Sequence, residues 1–293
     1  LNGIVIVPLY LKYIDLGLYG AWLATGNILI WLTMIDPGIG DVLIQKLSAS
    51  YAINNRREIG MQLGSSILLS FAVSIIAMLI GLGLIPFLEN ILNPATSIDI
   101  AILKKAFLYG TIGTAITLFG YFLAGAIIGL QNAKAQGFVR SIWALLSFLI
   151  KVFLLIYGFG LLAIPYSALI GSIIYLILSS VLLLRIIRKE RIKFVFSYSH
   201  LVSYSNVFLY TFSSKMMSTI KNNIDLILIA RFLNPEMVVA FDLTRRPIKL
   251  LYSFFSRPAA ALVASFANLR GEENFKVIKN VTGKVISLSV LGL

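Results

Sequence analysis

Seven basic residues lie inside apolar stretches of this sequence: Lys151, Lys215, Lys221, Arg245, Arg246, Lys249 and Arg257. Set against Asp225 and Asp242, they leave a local charge of roughly +5. A Lys or Arg at the centre of a bilayer costs about 2.5–3.5 kcal/mol, so seven facing lipid would cost on the order of 20 kcal/mol. They are expected to face water or an acidic partner instead. Their spacing agrees. Thr211, Lys215, Ser218, Thr219, Asn222 and Asp225 recur at three and four residues and so share one helix face, as do Asp242, Arg245, Arg246 and Lys249. Arg140, Ser147 and Lys151 form a thinner stripe, and Thr111, Thr114, Thr117 and Tyr121 another. Such stripes read as walls of a polar cavity between helices. A cavity of that sign suits a phosphate or diphosphate head group and suits a cationic drug poorly.

Plainer readings stand beside each. Lys151 lies near the end of its apolar run, where a long side chain can snorkel to the interface. Asp242 with Arg245 or Arg246 is also the pattern of a local ion pair, and Asp225 stands four residues after Lys221, in position to neutralise it. Asp225 and Asp242 are otherwise the candidates for coupling to H+ or Na+. His200, the single histidine, reads as an ordinary interfacial residue. With no Cys, disulfides and thiolate metal sites are excluded, and one His leaves triads and multi-His metal sites almost without material. No cofactor is expected. A membrane enzyme would need paired carboxylates or a metal motif. Asp36 and Asp41, five apart on one helix, should point to different sides, so the chain reads as a non-enzyme.

The elements that must carry these stripes are membrane spans. Of 293 residues 59% are hydrophobic and 13% charged, with a mean hydropathy of +0.92. Soluble domains carry about 45–50% apolar and about 25% charged residues. With about 20 apolar residues needed per span, the sequence divides into the tail of a first span at 1–11, then 19–47, 61–88, 105–130, 137–157, 161–187, 204–232 and 237–268, and a ninth from 275. Polar connections separate them, and Asn93-Pro94 and Asn234-Pro235 are turn dipeptides. Counting basic residues on alternate connections gives 14 on one side (Lys46, Arg56, Arg57, Lys134, Arg140, Arg185, Arg188, Lys189, Arg191, Lys193, Arg270, Lys276, Lys279, Lys284) against 4 on the other (Lys12, Lys104, Lys105, Arg231). The positive-inside rule assigns the richer side to the cytoplasm and places the N-terminus there. Topology thus accounts for most of the +13 net charge, and nucleic acid is not expected as a partner.

Residue 1 is Leu and the apolar run 285–293 has no polar flank, so the chain is expected to be an internal piece of a longer one. The expected organisation is a first lobe at 1–188, a connector at 189–203 and the start of a second lobe at 204–293. The connector is too polar to span and carries Phe194, Phe196, Tyr198 and a basic cluster, the composition of a segment lying in the membrane interface. A faint repeat, Ala49-Ser50-Tyr51-Ala52 and Ala264-Ser265-Phe266-Ala267, falls at the offset of two six-helix halves. Gly125 and Gly129 form a GxxxG whose default role is close helix packing. Pro37, Pro165, Pro247 and Pro258 begin or interrupt apolar stretches and are candidate kinks.

Leu18-Tyr19-Gly20-Ala21-Trp22, the 32–40 stretch with Asp36-Pro37-Gly38, Gly129-Leu130-Gln131, and Asn223-Ile224-Asp225-Leu226 occur in this order on successive spans. In these motifs the chain resembles polysaccharide flippases of the Wzx type, in the MOP exporter superfamily. The resemblance implies an all-α integral membrane protein with a MOP-type two-lobed bundle of six plus six helices, of which about eight to nine spans are present here. It implies a multi-pass protein of the bacterial inner membrane that moves undecaprenyl-diphosphate-linked oligosaccharide by alternating access, with membrane lipids, a polysaccharide polymerase and a chain-length regulator as partners. Asp225 matches an acidic position of the family's seventh span. A lipid II flippase and a multidrug exporter of the same superfamily remain alternatives; an acidic cavity would favour the exporter.

Overall fold

The computed structural model of the chain describes residues 6–36, 38–91, 98–202, 217 and 224–248, and among these it forms helices and turns without strands. The helices are α1 (Val7–Tyr13), α2 (Leu16–Leu32), α3 (Ile39–Ala52), α4 (Arg56–Leu84), α5 (Ile100–Gly129), α6 (Ala133–Ile156) and α7 (Ala163–Glu190). Residues 224–232 (α8) and 235–248 (α9) are also helical. α4 runs on through a 3-10 turn at Ile85–Phe87 into Leu88–Ile91. Four of these stretches, Arg56–Asn90, Ile100–Gly129, Ala133–Ile156 and Gly160–Glu190, are long and apolar enough to cross a membrane. The chain divides into two compact units, 1–239 and 240–293.

The spans are built inside out relative to a water-soluble helix. α4 buries Gly60, Ser66, Ser70, Ser74, Ala77 and Gly81 and exposes Leu68, Phe71, Ile76 and Leu79. α7 buries Ser167, Gly171, Ser172 and Ser179 and exposes Ile170, Ile173, Ile177 and Leu184. Lipid solvates the large apolar side chains, so helix association rests on close van der Waals approach at small residues. α5 is the central element, packed on α2, α3, α4, α6 and α7. A Cβ added at Gly125 would stand 2.6 Å from Cα of Gly40, which is the close packing expected of the GxxxG. One apolar cluster ties Leu43 and Leu47 (α3), Ile59 and Leu63 (α4), Phe122 and Ile127 (α5), and Leu183 and Ile187 (α7).

The second apolar stretch departs from expectation. It was expected to be one span over 19–47, and it is two helices. α2, capped by Asp15 Oδ1 accepting from Leu18 N–H (2.9 Å), passes into a 3-10 turn at Thr33–Ile35 and stops. Gly38, with φ +80°, stands at the N-cap of α3, a left-handed conformation open to glycine at little cost. Asp36 Oδ1 accepts from Ile39 N–H (3.1 Å) and so serves as the side-chain cap of α3. Pro37, the expected kink, lies outside the described residues, as does Pro258. Pro165 falls in the first turn of α7, where a missing N–H is harmless, and Pro247 lies near the end of α9.

The connector is strapped onto α4. α7 ends at Glu190, Arg191 turns left-handed (φ +53°), and 192–197 runs irregularly into a helical turn at 198–202. Val195 N–H donates to Gly60 O (3.1 Å). Ser65 Oγ accepts from Ser197 N–H (3.1 Å) and donates to Ser197 O (2.9 Å). At Gly60 and Gly64 a Cβ would collide with the carbonyls of Lys193 and Val195, so the bare backbone of one face of α4 forms the seat. His200 Nε2 meets Glu58 Oε1 at 2.6 Å and its Nδ1 lies 2.9 Å from Ser197 Oγ. The single histidine is thus a clamp between connector and span, a role that its composition alone did not indicate.

Candidate functional site

α6 carries the polar face of the first unit. Gln136, Arg140, Trp143, Ser147 and Lys151 follow at spacings of three and four, hence on one side, while Leu145, Leu149 and Phe153 on the other side are exposed. The stripe on α5 (Thr114, Thr117, Tyr121) and the break between α2 and α3 face it, and two cavities form between them.

The first cavity, about 360 Å³, is lined by Thr33, Asp36, Gly40, Asp41, Tyr121, Gly125 and Arg140 among others. Asp36 and Asp41 therefore share a site, where uninterrupted helical spacing placed them on different sides. The correction follows from the break: they belong to different helical segments, and the turn at 33–38 reorients one relative to the other. Asp36 is buried, 7% exposed, while its cap bond to Ile39 holds its carboxylate in place. Two carboxylates and one guanidinium give this cavity an excess of negative charge.

The second cavity, about 280 Å³, is lined by Trp22, Thr33, Thr114, Thr117, Trp143, Ser147 and Lys151 among others. Thr33 lines both. Lys151 thus borders a cavity between the helices. Among the described residues no carboxylate stands within ion-pair distance of it. Trp143 Nε1 and Ser147 Oγ are buried without a hydrogen-bond partner among the described residues. Buried polar groups in folded proteins are nearly always paired, and each orphan costs about 1–3 kcal/mol. Both donors are directed at α7: a Cβ added at Gly171 would collide with Ser147 Oγ and stand 3.1 Å from Trp143 Nε1. Beside them stand the rings of Trp22 and Trp143, the latter 5.0 Å from Tyr175, whose hydroxyl accepts from Gln136 Nε2 (2.7 Å). Arg140 and Lys151, eleven residues apart on the same face, are separated by roughly 16 Å along α6.

Four of the expected cations, Lys215, Lys221, Lys249 and Arg257, lie outside the described residues. In the second unit Asp242 is buried and meets both neighbouring arginines: Arg246 Nε and Nη2 reach Oδ2 at 2.7 and 2.6 Å, and Arg245 Nε lies 3.5 Å from Oδ1. Arg245 also stands over the Phe241 ring at 5.3 Å. This is the local ion-pair geometry that the i, i+3 and i, i+4 spacing allowed. Asp225, half-buried on α8, accepts from Leu226 N–H (3.0 Å). The sequence reading passed over Trp22, Thr33 and Trp143. Trp143 was findable, since it completes the stripe between Arg140 and Ser147; Trp22 and Thr33 come from another helix and carried no such signal.

These features define a class, a multi-pass α-helical membrane protein with polar cavities inside its bundle. No protein-family profile and no curated protein sequence matches the chain. A solved structure does: a multidrug resistance MATE family transporter of the MOP superfamily, in an inward-facing conformation, superposes with a TM-score of 0.78 over 97% of this chain at 14% sequence identity. The chain spans 66% of that transporter's length. It has the fold of a MOP-superfamily transporter.

Proposed function

We propose that the chain belongs to a transporter that flips undecaprenyl-diphosphate-linked oligosaccharide across the bacterial inner membrane by alternating access. The observation that carries this reading is the second cavity. Lys151 offers one positive charge to an anionic, oxygen-rich group, Thr33, Thr114 and Thr117 line the same cavity, and Trp22 and Trp143 offer ring faces to sugar. The distance along α6 between Lys151 and Arg140 exceeds the span of one diphosphate, so cargo reaching both would extend its glycan from one to the other. The basic connections face the cytoplasm on this reading. Lys215, Lys221, Lys249 and Arg257 would add cationic contacts, with Asp225 the candidate for H+ or Na+ coupling.

A multidrug exporter is the second reading, favoured by the carboxylates of Asp36 and Asp41 in the first cavity, which suit a cation. The related fold of a multidrug transporter is equally compatible with it.

The test uses the full-length gene. Deletion should abolish surface polysaccharide and accumulate lipid-linked units inside, and a Lys151→Ala complement should fail to restore export while the protein still reaches the membrane. Intact surface glycan with altered drug sensitivity would reject the flippase and leave the exporter. Cell lysis with normal surface polysaccharide would point to lipid II as cargo.

A further inference from the structure

The strap on α4 presents side chains that the fold does not use. Val195 and Ser197 are held by their backbone to Gly60 and Ser65, while the side chains of Phe194, Val195, Phe196 and Tyr198 are left 45%, 42%, 55% and 71% exposed. Exposed aromatic rings on a segment with so many anchoring bonds are costly in water, and nothing within the described first unit covers them. Around them Arg188, Arg191 and Lys193 are exposed, and among the described residues none makes an ion pair. Arg191 sits at the left-handed turn that directs the chain from the end of α7 to the strap.

We propose that this strap is a docking surface for anionic phospholipid: the three rings enter the headgroup layer of the membrane, and Arg188, Arg191 and Lys193 bind lipid phosphates beside them. Tyr and Phe at this depth place an apolar body among acyl chains with a polar edge outward. Basic residues near an anionic leaflet gain from its surface potential. The charge selects the occupant, since a zwitterionic surface would satisfy the rings and leave three cations unanswered. The clamp of Gly60, Gly64, Ser65 and His200 gives the strap a rigid backing, so binding does not have to order it first. The inference does not depend on which cargo the cavities take.

These 293 residues have no Cys, so Val195→Cys in the full-length chain, with any Cys outside them replaced by Ser, creates a single labelling site that keeps all three rings. The labelled protein is placed in bilayer discs of phosphatidylglycerol or phosphatidylcholine, each with brominated acyl chains, and fluorophore quenching is read. Quenching at least twofold stronger in phosphatidylglycerol is expected, falling to the phosphatidylcholine level in the Arg188→Gln/Arg191→Gln/Lys193→Gln variant and unaffected by glycerol phosphate added in solution. Equal quenching in both lipids would overturn the proposal, because rings alone would then account for docking. No quenching in either would overturn it too and indicate a strap covered by protein or facing water. Competition by soluble glycerol phosphate would replace a lipid site by a free-phosphate site. Should Val195→Cys disturb folding, Val202→Cys, exposed on the following helical turn, carries the same measurement.

Discussion

The two cavities on the face of α6 differ in how their charge is answered. Around Arg140 the lining carries Asp36 and Asp41, and Asp36 is itself fixed by capping α3. Around Lys151 the described lining has no carboxylate. One region carries an excess of negative charge, and the other a cation with no carboxylate beside it among the described residues. A membrane interior tolerates an unanswered cation only at a cost in stability, and groups kept at such a cost are those whose partner arrives with the function. Under the proposed function, anionic cargo would bind at the Lys151 end and a cation at the Arg140 end.

Replacing Lys151 separates the two most strongly. Lys151→Ala should weaken capture of an anionic cargo roughly 10–100-fold, the value of a charge-assisted hydrogen bond, measured as uptake of lipid-linked saccharide in vesicles; an unchanged rate would break the assignment. The same position makes a second, opposite prediction. Lys151→Met should raise the thermal stability of the detergent-purified protein by about 1–2 kcal/mol, less than the full bilayer cost because the cavity admits water. A drop in stability would mean that Lys151 is satisfied after all.

Asp36 sharpens the other half. Asp36→Ala should cost about 1 kcal/mol through the lost cap of α3, while Asp36→Asn, which keeps an acceptor oxygen, should cost a few tenths. Denaturation of the two variants measures this; equal losses would mean that the charge matters more than the cap. Trp143→Phe keeps an aromatic face but shrinks the ring and removes a buried donor, so lost packing and relieved desolvation should offset to within about 1 kcal/mol in the same denaturation measurement. Smallest of all, Arg140→Gln should change stability by under about 1 kcal/mol, because its guanidinium is exposed and screened. A loss as large as that of a buried pair would make the first cavity as strained as the second.

The strap makes the same point about non-local pairing. Glu58 and His200 are 142 residues apart, and each taken alone is an unremarkable polar residue near the end of an apolar run. Gly60 and Gly64 likewise read as ordinary small residues of a span until Lys193 and Val195 are laid over them.

Composition and periodicity by themselves determined that the chain is a bundle of membrane helices, where four of its spans lie, and that Arg140, Ser147 and Lys151 share a face of one of them. These are local properties: burial in lipid demands about 20 apolar residues in a row, and a helix repeats every 3.6 residues whatever surrounds it. Tertiary structure alone decided that the second stretch breaks at 33–38, bringing Asp36 and Asp41 into one cavity. It also decided that Trp22 of α2 and Thr33 of the turn after it complete the wall begun by α6, and that the connector lies along α4. Each depends on which helix face meets which. In lipid that choice is made by small residues fitting backbone to backbone across long separations, so no window of neighbouring residues contains it.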